Sequence, residues 1–143
     1  MARIKVLLPE HFTFSTPIPV RITDINYGGH VGNDALLSII HEARLQFLSH
    51  HGYSEMNMEG TGLIMADAAI EFKAEAFYGD ILTASVGAND FTRIGFDLCY
   101  KLEKNVDGKM LTVAVAKTGM VCYNYDQKKV AAIPASALAR LQQ

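Results

Sequence analysis

Apolar residues recur at helical spacing in one long segment of the first half of the chain. Leu36, Ile40, Ala43 and Phe47 follow one another at steps of three or four residues, which places their side chains on one face of an α-helix. Further apolar residues at Leu37 and between the others widen this face. A helix that is apolar around most of its circumference is typically buried, so the pattern predicts a buried central helix.

The segment carries signals at both ends. Asn33 or Asp34 is the predicted N-cap, because these side chains accept hydrogen bonds from the free amides of the first turn. Gly52 follows two histidines and is a natural stop. Before the helix, Gly28 and Gly29 predict a turn after a β-like segment that ends at residues 24–26.

Beyond residue 60 the pattern becomes that of β-strands separated by turns. Asp107 and Gly108 form a typical hairpin pair. A strand, a long helix and then four strands make an α+β pattern, with one helix against an antiparallel sheet. The predicted elements are a loose arm at 1–16, an edge strand at 17–22, strands at 62–76, 81–86, 91–102 and 111–125, and a short helix at 134–142.

Length and composition limit the classes of protein that remain. The 143 residues are half apolar with a formal charge of −2, which predicts a single domain over residues 1–143 and no nucleic-acid partner. No segment resembles a signal peptide or is long enough to span a bilayer, so a cytoplasmic protein without a membrane partner is expected. Cys99 and Cys122 are expected to be buried and reduced, and the histidines lack the spacing of metal ligands.

The turn before the helix brings together the parts of an acyl-transfer site. The first amides of a helix have no partner within it, and the helix dipole is positive there. Glycines allow another molecule to approach the backbone closely. Polar side chains stand on both sides of the turn, at Asp24, Asn26 and His30. Amides so placed could stabilise a developing oxyanion.

These residues resemble motifs of the hotdog-fold thioesterases, and within them the 4-hydroxybenzoyl-CoA thioesterase group. The family motif reads approximately D-x-D-x-x-G-H-V-N-N, followed by a helix with E-x-A-R. The four matching pieces, in family order, are residues 24–33 with Glu42-Ala43-Arg44, Phe77-Tyr78-Gly79-Asp80-Ile81-Leu82, Thr92-Arg93-Ile94-Gly95, and the strand around Thr118-Gly119-Met120-Val121.

The resemblance implies a long helix wrapped by a curved antiparallel sheet, in homodimers or homotetramers with active sites between subunits. It implies hydrolysis of an acyl-CoA or acyl-carrier thioester, with no cofactor. One departure matters: the benzoyl-CoA branch has its catalytic carboxylate at the second aspartate of the motif, where this chain has Asn26. Plant acyl-carrier-protein thioesterases, with asparagine and histidine in their motif, also resemble this pattern.

The role of base therefore has several candidates, each with a structural alternative. Asp24 could activate water or orient His30, or it could simply cap the turn. Asn26 could hold the carbonyl or water, or form an Asx turn. His30 suits acid–base chemistry near neutral pH, or it could be a structural hydrogen-bonding group. Glu42 lies at the depth of the catalytic glutamate of another hotdog branch; if buried, it would be a base with a raised pKa or an ion-pair partner of Arg44 or Lys73.

The oxyanion donor is predicted at the amide of Gly32 or Asn33, with Asp34 beside it. Basic groups for the phosphates of coenzyme A are predicted at Lys73, Arg93 and Lys117, although each could be a solvated strand residue. Two other functions remain open. A non-catalytic acyl-CoA or acyl-carrier binding protein would explain Asn26, and hydration of enoyl thioesters has faint support in His11-Phe12.

Overall fold

The computed structural model describes residues 2–143 and consists of a six-stranded antiparallel sheet and two helices. This is the predicted α+β class. A short 3₁₀ turn at Ile22–Asp24 precedes the long helix. The strands are β1 (Phe14–Pro19), β2 (Gly62–Phe72), β3 (Ile81–Asn89), β4 (Gly95–Val106), β5 (Lys109–Asn124) and β6 (Lys129–Val130), and the helices are α1 (Asn33–His50) and α2 (Ala135–Leu141).

The sheet is open, with strand order β1-β3-β4-β5-β2 and β6 paired to the end of β5. The predicted edge position of the first strand is confirmed, but the strand covers 14–19 and not 17–22. It ends early because the Asp24 carboxylate accepts a hydrogen bond from the Arg21 amide at 2.8 Å, which closes a 3₁₀ turn instead. β1 also includes residues 14–16 of the predicted arm. Met1 lies outside the described residues.

The hairpin between β4 and β5 is confirmed at Asp107 and Gly108. Both have positive φ, 52° and 85°, as a two-residue turn with the twist of the flanking strands requires. The strand predicted at 91–102 begins only at Gly95. A Cβ at Gly95 would lie 2.1 Å from the Met120 carbonyl oxygen, so close approach of β5 requires glycine here.

The core lies between one face of α1 and the inner face of the sheet. Ile40, Phe47 and Leu48 of α1 are almost completely buried, together with Leu98 and Leu102 of β4. Burying such a side chain stabilises the fold by about 1.5–3 kcal/mol. The other face of α1 is open: Leu37 is 45% exposed and Leu45 40%. The prediction that α1 is buried on most of its circumference is therefore wrong for the single protomer, because the sheet covers only one side.

A polar network crosses the core beneath α1. Arg44 is only 6% exposed; its Nε and Nη1 donate to the Glu55 carboxylate and to the Tyr100 hydroxyl, each at 3.3 Å. The Tyr100 hydroxyl lies 2.7 Å from that of Thr118. Arg44 therefore anchors the segment after α1 and does not pair with Glu42.

The state of the two cysteines agrees with the sequence prediction. Cys99 and Cys122 are free and buried, as expected. Burial raises the pKa of the Cys99 thiol to about 11, which keeps it protonated. No helix within residues 2–143 has the length and apolar character needed to cross a membrane.

Candidate functional site

The turn between the 3₁₀ segment and α1 is held by backbone bonds and one side chain. The Asn26 Oδ1 accepts from the Gly28 amide at 2.8 Å, and the Asn26 amide donates to the His30 carbonyl at 2.9 Å. Gly29 has φ of 85°, a conformation that glycine adopts without steric cost. Asn26 thus forms the Asx turn that was its structural alternative, and it fixes the position of His30.

The start of α1 lies one residue earlier than predicted. The N-cap is Gly32, not Asn33 or Asp34: its backbone is extended and its carbonyl accepts from the Leu36 amide at 3.1 Å. Asn33 and Asp34 are already helical, so their side chains are beyond the capping position. No side chain caps this end.

The amides at this helix start differ in what they bind. The Gly32 amide donates to the Asp24 carbonyl at 3.0 Å, so it is engaged within the protomer. The Asn33 amide is the first in the helix proper, where intrahelical partners are absent, and Asn33 lines the adjoining cavity. Of the two predicted donors, Asn33 is therefore the one placed for a ligand. Asp34 is exposed in the first turn, with its carboxylate close to Gly32.

A cavity of about 260 Å³ opens beside this helix start. Polar groups of Asn33, His30, Lys73 and Glu75 line it. The rest of its wall is mainly apolar and comes from the turn before α1, from α1 itself, from β5, and from the end of β2 with the segment after it. Those apolar residues are Val31, Leu36, Phe72, Ala74, Ala76 and Val113.

His30 has a defined orientation in this cavity. Its Nδ1 lies 3.1 Å from the Val31 carbonyl oxygen; since a carbonyl only accepts, Nδ1 carries the proton in the neutral ring. The Nε2 then carries the lone pair, and it lies 4.0 Å from Glu75 Oε1. A neutral imidazole held in this tautomer can accept a proton at Nε2.

Glu75 was not among the residues predicted for the site. It follows β2, and its carbonyl accepts from Lys104 Nζ at 2.8 Å. The neighbouring Ala76 carbonyl accepts from the Val31 amide at 2.8 Å, which brings this segment against the turn. Nothing in the local pattern signals this pairing, because it joins two irregular segments distant in sequence.

The two acidic residues predicted as possible bases, Asp24 and Glu42, do not line the cavity. Asp24 is 4% exposed, and its carboxylate caps the 3₁₀ turn. Glu42, which could be a base with a raised pKa only if buried, is exposed on the open face of α1, where Gln46 Nε2 donates to it at 2.7 Å. It pairs with neither Arg44 nor Lys73.

The three basic candidates are in different places. Lys73 lines the cavity, with its Nζ 3.4 Å from Glu71 Oε1. Lys117 lies between Asp67 and Asp97, at 2.8 and 3.6 Å; hydrogen bonding to Asp67 is the main cause that raises the pKa of Lys117. Arg93 is in the loop between β3 and β4. Lys73 alone of the three lines the cavity. Within residues 2–143, no His, Cys, Asp and Glu side chains form a group suited to a metal ion.

The family model of the thioesterase-like superfamily matches residues 20–141. The chain belongs to this superfamily. The match spans the turn, α1 and the whole sheet except β1. No match was found among the curated proteins.

Solved structures share the fold over nearly the whole chain. A 1,4-dihydroxy-2-naphthoyl-CoA thioesterase from Synechocystis is 24% identical, with TM-score 0.78 and coverage of 90% of this chain and 94% of its own. A variant of 4-hydroxybenzoyl-CoA thioesterase in complex with 4-hydroxybenzoyl-CoA is 18% identical, with TM-score 0.80 and coverage of 90% and 97%. A gentisyl-coenzyme A thioesterase is 20% identical, with TM-score 0.77 and coverage of 90% and 99%. The fold is the hotdog fold that the sequence predicted.

Proposed function

We propose that this protein hydrolyses an acyl-CoA thioester to the free acid and coenzyme A. The observation that supports this most directly is the cavity that His30 and Asn33, the first residue of α1, both line. Membership of the thioesterase-like superfamily, and the acyl-CoA substrates named for the similar structures, support the choice of thioester.

The thioester carbonyl oxygen accepts a hydrogen bond from the Asn33 amide, aided by the helix dipole. Negative charge develops on this oxygen as the tetrahedral intermediate forms, so the donor acts mainly in the transition state. Such a donor typically lowers the barrier by about 2.7–4 kcal/mol. An amide can supply it without any catalytic side chain at Asn33.

The His30 Nε2 accepts a proton from water as the water oxygen bonds to the carbonyl carbon. The intermediate then collapses: the carbon–sulfur bond breaks, and the imidazolium returns the proton to the departing sulfur. Glu75 stabilises the transient positive charge on His30. Asn26 holds the turn, which accounts for an asparagine where the benzoyl-CoA branch has its catalytic aspartate.

Lys73 is the group we assign to the phosphates of coenzyme A, because it lines the cavity. Arg93 and Lys117 would need a second subunit to reach the same ligand. An acyl-carrier arm carries the same thioester. Comparing acyl-CoA with acyl-carrier thioesters as substrates distinguishes the two possibilities. The two free, buried cysteines suit the reducing cytoplasm, where we place the reaction.

A homodimer or homotetramer with sites between subunits is part of the proposal. The β2 edge is unpaired within the described chain, with Met65 48% and Phe72 56% exposed. Leu37 and Leu45 are exposed on the open face of α1. Exposed edges and apolar patches favour association. Glu42 lies on this same face, so a second copy would bring it near a neighbouring site, where it remains a candidate base.

A non-catalytic acyl-CoA or acyl-carrier binding protein is the second candidate, favoured by Asn26 in place of the aspartate. Purified protein should release thiol from a panel of acyl-CoA and acyl-carrier thioesters, measured with a thiol reagent. Tight binding of acyl-CoA without thiol release would favour the binding protein. Loss of enoyl absorbance without thiol release would indicate hydration instead.

A further inference from the structure

The inner end of the cavity is closed by side chains of the hydrophobic core. Leu36 of α1 and Val113 of β5 are each 3% exposed, and Ala76 is 2% exposed. All three line the cavity. They also belong to the packed core, so the cavity ends against core side chains at this point.

Val113 reaches this position through an irregularity in β5. In the register with β4, Ala114 pairs with Leu102 and Thr112 with Glu103, so Val113 is an extra residue. Ala114 faces the core, and the bulge turns Val113 inward as well. Regular alternation would have placed Val113 on the same face as Val115. Bulges often redirect a side chain beside a functional site.

The bulge also fixes the adjoining wall. The Val113 carbonyl accepts from both the Lys73 and the Ala74 amides, at 2.8 and 3.0 Å. The end of β2, which carries Phe72, is thereby bonded to Val113, the residue that forms the floor of the cavity. Floor and wall cannot separate without breaking both bonds, so the depth of the cavity is set by the backbone.

The volume limits what can enter. A cavity of about 150 Å³ lined by apolar side chains holds one benzene molecule. The cavity here has about 260 Å³, and it must also accommodate the thioester carbonyl and a water beside His30. The space that this protomer leaves to the acyl group fits a single ring or a short chain.

We propose that Val113 is a specificity-determining residue that restricts the acyl group to a single ring or to about six to eight carbons, excluding long fatty acyl chains. This rests on the proposed function, since it assigns the cavity to the acyl group. The Val113→Ala variant removes two carbon atoms from the floor, so it should admit a longer group.

The test uses S-alkyl-coenzyme A thioethers from ethyl to hexadecyl, which bind without being hydrolysed, titrated below their micelle concentration. Affinity should rise about fourfold per methylene, the effect of burying one CH₂, and become constant beyond about eight carbons. Val113→Ala should move this limit by about two carbons. Val115→Ala is the matched control, because Val115 is buried in the same strand but pairs with Lys101 and Glu71 on the outer face.

A continuous rise in affinity to hexadecyl would overturn the inference, as would an equal shift in Val115→Ala or no shift in folded Val113→Ala. Hydrolysis of acyl-CoA without a chain-length limit would leave the proposed function standing and remove this inference. A chain-length limit in thioether binding without any hydrolysis would support this inference and contradict the proposed function. If no thioether bound at any length, the assignment of the cavity to the acyl group would fall.

Discussion

His30 Nε2 and Glu75 Oε1 lie 4.0 Å apart at the cavity, although the two residues belong to segments far apart in sequence. The turn held by Asn26 positions the histidine, and the pairing of Val31 with Ala76 positions the glutamate. In the proposed hydrolysis, this pair takes the role that the aspartate has in the benzoyl-CoA branch.

The His30→Gln variant should lower kcat for acyl-CoA hydrolysis by about 10²–10⁴, the range for loss of a general base. Glu75→Gln should have a smaller effect, about fivefold, because ion pairs with exposed partners are worth about 1 kcal/mol or less. Steady-state thiol release measures both. His11→Gln, in the exposed N-terminal arm, is the control; a full rate in His30→Gln would show that another group is the base.

Asn26→Ala and Glu42→Ala should not both retain full hydrolase activity while folding normally. Loss of the Asn26 side chain frees the Gly28 amide and loosens the turn that holds His30. Asn26→Asp keeps an acceptor for that amide and should keep more activity than Asn26→Ala. Glu42→Ala should lower the rate only if a second copy brings Glu42 to the cavity. Full activity and native circular dichroism in both alanine variants would remove both residues from the mechanism.

His51, at the end of α1, should make stability depend on pH. Burial is the main cause that lowers its pKa, and the positive charges of His50 and Arg140 add to it. The unfolded chain, with an ordinary histidine pKa of about 6.5, then binds more protons than the folded chain. The free energy of unfolding should be highest above this pH and decrease as the pH falls through it.

Urea unfolding between pH 5 and pH 8 would measure this dependence. His51→Phe keeps an aromatic ring against Phe47, which His51 meets at 4.7 Å between ring centroids, and removes the titrating group. Its curve should be flatter than that of the wild type. An equal slope in His51→Phe would assign the effect to other groups.

The elements that the sequence predicted well are those with a strong local signal. Helical spacing gave α1, and Asp107-Gly108 gave the hairpin, because a two-residue turn with positive φ needs such residues. The predicted start of α1 was wrong by one residue. The N-cap is Gly32 because backbone hydrogen bonds, and not a capping side chain, decide where the helix begins. The Gly32 amide donates to the Asp24 carbonyl, and the Gly32 carbonyl accepts from the Leu36 amide.

Features that depend on tertiary contacts could not be predicted. The exposure of Glu42 follows from which face of α1 the sheet covers, and the periodicity of an apolar-rich helix does not define that face. Glu75 and Val113 reach the cavity through the pairing of Val31 with Ala76 and through a β-bulge. Neither leaves a local pattern in the sequence.

The proposed hydrolase depends above all on the amide hydrogen of Asn33, and one substitution can remove it without removing the helix. Proline has no amide hydrogen and is well tolerated at the first helical position. Gly32, with φ of −73° and ψ of 154°, already has the backbone that a following proline requires. The Asn33→Ala variant keeps the amide and is the matched control.

The decisive measurement is kcat for acyl-CoA hydrolysis in Asn33→Pro and Asn33→Ala, with the folded state of each verified by thermal unfolding. We expect Asn33→Pro to lose about 10²–10³ in kcat with a near-native melting temperature, and Asn33→Ala to stay close to the wild type. A folded Asn33→Pro variant that hydrolyses acyl-CoA at the wild-type rate would contradict the role of this amide.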